Sequence, residues 1–168
     1  MEAAKTRALV KGIITVEHWR DGKLLYKGTS ENLVTNQGLD KILDSTLAND
    51  ASATWYLGII EASHTYAAGD TYAVPNHTES TAYDEATRQE YEEAASSGQS
   101  VTNSANKATF TISATKTIYG AFLVDHNVKG NTAEAGKVLL CGGEFGSSRD
   151  VVDDDVINVT YTVSAADN

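Results

Sequence analysis

The last third of the chain alternates apolar and polar side chains with a period of two, which commits it to β-sheet. In Val156–Ala165, the residues Ile157, Val159, Tyr161 and Val163 fall on one side, and Asn158, Thr160 and Thr162 on the other. A helix would scatter these residues round its axis, whereas a strand with one wet face separates them. ATFTISAT repeats the pattern, with Phe110 and Ile112 opposed to Thr109, Thr111 and Ser113. TIYGAFLVD is apolar on both faces, as expected of a central strand. Gly120 inside it points to a bulge or a close backbone approach. KVLLCGGEF reads as a further strand, with Gly142–Gly143 as its expected bulge.

The front of the chain carries a second β signal. ALVKGIITVEHWR and KLLYKG flank Asp21–Gly22, a dipeptide that favours the positive φ of a tight hairpin turn, so residues 8–28 read as a hairpin. In NLVTNQGLDKILDSTL, the residues Leu39, Ile42, Leu43 and Leu47 share one helical face. A helix is expected at about 37–47, with Asn36 as its N-cap and the leucine face turned to the core. Trp55–Ile60 is a short apolar run of the kind that forms a buried strand. Residues 62–105 lack a clear period and hold the only proline, Pro75. Long stretches of this type are commonly functional. Within them ESTAYDEATRQEYEEAA has helical propensity without an apolar stripe. No repeat or second domain interrupts the 168 residues. The expected fold is therefore a single mainly β domain, an antiparallel sandwich or jelly-roll-like body over residues 106–165 with one short helix.

Charge narrows the function classes. Thirteen Lys and Arg against 23 Asp and Glu give a net charge of −10, which argues against a nucleic-acid binder needing a basic face. The distribution is uneven: residues 1–30 carry +3, residues 31–100 carry −10 and residues 101–168 carry −3. A basic front on an acidic body suits head-to-tail attraction between copies or docking on another acidic protein, or is simply a solvated surface. Cys141 is the single cysteine, so no intrachain disulfide framework is expected. No apolar run is long enough to cross a bilayer, and the first residues read as mature protein.

No catalytic motif stands out. The four histidines, His18, His64, His77 and His126, form no HExxH pair, and neither a GxSxG elbow nor a phosphate-binding loop is present. His64 and His77 lie in the same long segment and can meet in space, though a metal site would need a third ligand. Asp150, Asp153, Asp154 and Asp155 do not match a calcium-loop spacing and read as a solvated turn. The carboxylates Glu79, Asp84, Glu85, Glu90, Glu92 and Glu93 can in principle hold a hydrolytic pair, but spacing singles out no two of them. Trp55, Tyr56, Tyr66, Tyr72, Tyr83 and Tyr91 suit either a sugar-binding face or interface anchors.

The order of segments adds a resemblance. NLVTNQGLD (Asn32–Asp40), WYLGII, AGDTYA, TRQEY, YGAFLVD (Tyr119–Asp125), KGNT and SRDVVDDDVINVTYTVS (Ser148–Ser164) follow one another in a sequence that resembles small virion structural proteins of tailed bacteriophages. The resemblance runs from about Asn32 to Ala165. It implies a capsid cement or decoration protein: a β-sandwich that binds the major capsid protein of the expanded shell, without cofactor, metal or catalytic residue. It implies assembly in the host cytoplasm, location in the virion, and a homo-oligomer, dimer or trimer. On that reading the contacts are expected on the N-terminal hairpin (Arg7, Lys11, Trp19, Arg20) and on the loop aromatics Tyr66, Tyr72 and Tyr83. A tail or neck adaptor or fibre-attachment protein is the alternative within the particle, and a carbohydrate-binding module the alternative outside it.

Overall fold

Asp21 and Gly22 both adopt positive φ, 49° and 71°, so the expected two-residue turn forms and joins β1 (Ala8–Arg20) to β2 (Lys23–Val34). The computed structural model describes residues 8–48, 50–130 and 134–167. After the hairpin come α1 (Asn36–Leu47), β3 (Tyr56–Ile60), β4 (Glu79–Ser80), β5 (Gln89–Glu90), β6 (Ser100–Thr102), β7 (Ala108–Thr111), β8 (Lys116–Val124), β9 (Leu139–Val151) and β10 (Val156–Asp167).

Among the described residues all the strand pairs are antiparallel, in one curled ten-stranded sheet of order β4-β3-β8-β9-β2-β1-β10-β6, with β5 on β3 and β7 on β10. The curl hinges on β2. Its residues Lys23–Asn32 pair with β1, and Leu33–Val34 then pair with Gly142 and Cys141 of β9. The two halves face each other across a core of Ile14, Val16, Phe110, Ile112, Leu123 and Tyr161, with Ile157 and Val159 from the alternating face of β10. The mainly β, sandwich-like architecture expected from the sequence is therefore the one observed. Among the described residues no helix is long and apolar enough to cross a membrane.

β8 lies between β3 and β9 and is buried from Gly120 to Val124. Its register slips between Ile118 and Gly120, so Ile118 shares the main core with Ala121 and Leu123. A Cβ on Gly120 would stand 2.2 Å from the Gly143 carbonyl oxygen, which is the close approach its position suggests. Phe122 and Val124 point the other way, into a second cluster with Ile60, Tyr66, Tyr72 and Leu139. The segment after β3 supplies those tyrosines, which explains why both faces of β8 are apolar.

Several expectations need correction. Pairing runs unbroken through Gly142 and Gly143, so no bulge lies there; Gly142 instead makes room for the Tyr66 ring, 2.2 Å from where its Cβ would be. The helix cap is Thr35, whose buried hydroxyl accepts from Gly38 N at 2.9 Å, not Asn36. Of the expected apolar face only Ile42 packs against the core; Leu39, Leu43 and Leu47 are 37%, 55% and 79% exposed. α1 docks through Gly38, the helix's one buried residue, against the Leu140 backbone. Residues 79–95 form no helix, because Glu79, Tyr83, Arg88 and Tyr91 are buried by long-range contacts that override propensity.

Candidate functional site

The two ends of β1 carry different surfaces. At its C-terminal end the hairpin tip presents Leu24 and Leu25, 40% and 44% exposed, with the half-buried Trp19 beside them. The tip is tied to the turn between β9 and β10. Asp155, fully buried, accepts from Arg20 Nε and Nη2 at 2.7 Å each, pairs with His18 Nε2 at 2.9 Å, and accepts from Val152 N at 2.8 Å. Burial opposes ionisation of this carboxyl, but the Arg20, Val152 and His18 bonds outweigh it and hold the group well below the usual carboxylate range. The aspartate run is thus only partly the expected solvated turn; Asp153 and Asp154 are exposed and Asp155 is structural.

Glu17, on the outer face of β1, is covered by two lysines. Lys107 Nζ donates to it at 2.9 and 3.0 Å and Lys27 Nζ lies at 3.0 Å. The Lys107 bond leads the causes that lower its carboxyl to about 2. Lys11 is exposed further along the same strand. Arg7 lies outside the described residues.

The three loop tyrosines expected at an interface are inside the protein. Tyr66, Tyr72 and Tyr83 are 7%, 2% and 2% exposed. Tyr72 belongs to a buried clasp around Arg88. The guanidinium donates to Glu79 at 2.8 and 2.7 Å, to the Tyr72 hydroxyl at 3.2 Å and to the His126 carbonyl at 2.8 Å. It also lies over the Phe122 ring, 5.3 Å from the centroid. Tyr83 stacks edge-on to Phe110 and carries the Lys129 ammonium 4.2 Å from its ring centroid. The Tyr66 hydroxyl shares a 3.2 Å hydrogen bond with His77 Nδ1. These rings brace the long segment and present no free face to a sugar or a partner.

His64 and His77 do meet, their ring centroids 6.2 Å apart. Each already has a partner, His64 in Asp70 at 3.1 Å and His77 in Tyr66. Burial lowers the His77 imidazole to about 4. Among the described residues no three His, Cys, Asp or Glu side chains are grouped to hold a metal. Burial pushes the Cys141 thiol up to about 12, far from the range of a reactive thiolate.

At the other end of β1 an apolar groove of about 450 Å³ opens between the two halves of the sheet. Ile42, Trp55, Tyr91, Val101 and Val163 line it, and Glu93 stands on its lip. The exposed leucines of α1 continue from Ile42 around the helix. Sequence reasoning missed this surface because it read the leucine row as core; the missed signal was Gly38, which alone on α1 is small enough for contact with a backbone. Compared with family models, curated proteins and solved structures, the chain matches none.

Proposed function

We propose that the chain is a non-enzymatic structural protein of a tailed-phage particle, a decoration protein that binds the expanded shell through its hairpin tip. The observation that carries this reading is the tip itself. Leu24 and Leu25 stand exposed at the end of strands 13 and 12 residues long, and the Arg20–Asp155 pair braces them against the next turn. Apolar side chains held on a rigid projection lose little freedom on binding, so a small contact yields useful affinity. Many identical sites on a shell make a modest single contact sufficient. The ordered segments from Asn32 to Ser164 support the particle assignment by resemblance.

The test uses undecorated expanded shells assembled from the major capsid protein of the genome that encodes this chain. Saturable co-sedimentation and a raised shell melting temperature are expected. Leu24→Asp/Leu25→Asp abolishes both while leaving the free protein's own melting temperature within a few degrees. Absence of saturable binding, or binding by the double variant equal to wild type, overturns the reading.

A further inference from the structure

We infer that the groove beside α1 receives the outer face of β1 from a second copy of this chain. The inference does not depend on shell binding, since it concerns the opposite end of the hairpin.

The groove has an apolar floor and an acidic edge. Glu93 is part of its lining and exposed, with Glu92 exposed beside it in sequence. Lys41, the one cation of α1, is already held by Asp50. From α1, Ile42 lines the groove, and the exposed Leu39 stands one turn before it on the helix. The fitting partner is therefore extended or helical, apolar at alternate or periodic positions, and cationic between them.

The chain carries such a surface on β1. Leu9 and Ile13 are 38% and 40% exposed with Lys11 exposed between them. On β10 they face Ala166, Ser164 and Thr162, all uncharged; Glu31 of β2, opposite Ile13, is the carboxylate beside the strip. Residues 1–16 hold Lys5, Arg7 and Lys11 against the single acid Glu2, whereas Glu93 of the groove belongs to residues 31–100, which carry −10. Opposite charges and matched apolar rows meet when one surface is laid on the other.

One chain cannot satisfy itself. Gly12 pairs with Val163, and Val163 points into the groove on the inner side of the sheet. Leu9, Lys11 and Ile13 alternate to the outer side. The strip and the groove thus lie on opposite faces of one sheet, and only another copy's strip can enter. Such a contact joins two different patches, so it either closes into a ring or reciprocal pair or continues from copy to copy.

Sedimentation velocity on the full chain, over a range of protein and salt concentrations, tests this. Wild type is expected to associate reversibly and to weaken as salt rises, because the steering charges are exposed. Lys11→Glu and Glu93→Lys each weaken association about tenfold or more. Mixing the two variants restores it, because each then offers the other a complementary surface, and Lys11→Glu/Glu93→Lys on one chain restores it as well. Circular dichroism melts check that the variants fold. A wild type that stays monomeric up to its solubility limit overturns the inference. So does association indifferent to both charge reversals, or two weakened variants that mixing fails to rescue.

Discussion

Arg20 and Asp155, 135 residues apart in sequence, are joined by two parallel 2.7 Å hydrogen bonds from one guanidinium to one carboxylate. The pair closes the hairpin tip onto the β9–β10 turn, and the same carboxylate receives His18 and the Val152 amide. Removing it strands several donors at once. Asp155→Ala is expected to destabilise the fold by on the order of 3 kcal/mol, since buried donors lose their acceptor. Urea unfolding measures this. Arg20→Ala, which removes a partly exposed partner and leaves His18 and Val152 bonded, costs less. A loss at Arg20 larger than at Asp155 would contradict the assignment of Asp155 as the node.

Acid destabilises this protein in two stages. His77 sits neutral in the fold, its imidazole lowered by burial from the usual 6.5 to about 4. The unfolded chain therefore binds a proton there first, and stability is lost as pH falls from about 6.5 towards 4, by up to about 3 kcal/mol. Glu17 and Asp155 are held below their ordinary values, so they contribute stability above about pH 4.5 that disappears only at lower pH. Melting temperatures between pH 7 and 2.5 check the order. His77→Phe should flatten the upper stage and leave the lower one, and an unchanged upper stage would assign it to another group.

What the sequence disclosed was local. Asp21–Gly22 needs only its two neighbours to turn, and β10 needs only alternation to choose a face, so both were legible. The helix was legible too, but not its orientation, because that is set by Gly38 meeting Leu140 across a hundred residues. The tyrosines read as surface anchors for the same reason. Tyr72 is buried by Arg88 and His126, and nothing within a few positions of Tyr72 announces either contact. Asp155 resembles its exposed neighbours in sequence because its side-chain partners, His18 and Arg20, lie at the opposite end of the chain. Charge marks Arg20 as a candidate contact, but its bond to Asp155 in the β9–β10 turn is not visible from the hairpin alone.

The Arg88 clasp offers a double-variant test. Arg88→Met leaves Glu79 as a buried carboxylate, nearly sealed from water. Breaking such a pair from one side costs about 3–5 kcal/mol. Arg88→Met/Glu79→Gln removes the orphaned charge and should recover a substantial part of that loss, although the Gly130 amide still bonds to position 79. Chemical denaturation of these two variants and of Glu79→Gln decides. If the double variant is as unstable as the sum of the singles, the two side chains are not coupled.

Two substitutions on α1 separate docking from exposure. A Cβ on Gly38 would stand 2.3 Å from the Leu140 carbonyl oxygen and 2.8 Å from its Cα, and neither backbone atom can swing aside. Gly38→Ala must lift the first turn off β9 in spite of alanine's better helix propensity, at a cost of about 1–3 kcal/mol. Lifting it also disturbs the cap, because Thr35 accepts from Gly38 N while its own hydroxyl donates to the Leu139 carbonyl. Leu47→Ala, at a side chain 79% exposed, is expected to change stability by less than about 0.5 kcal/mol. Thermal melts of dilute protein give both values. A neutral Gly38→Ala would mean that α1 is not seated on Leu140, and a costly Leu47→Ala would mean that the leucine row is covered in the free monomer.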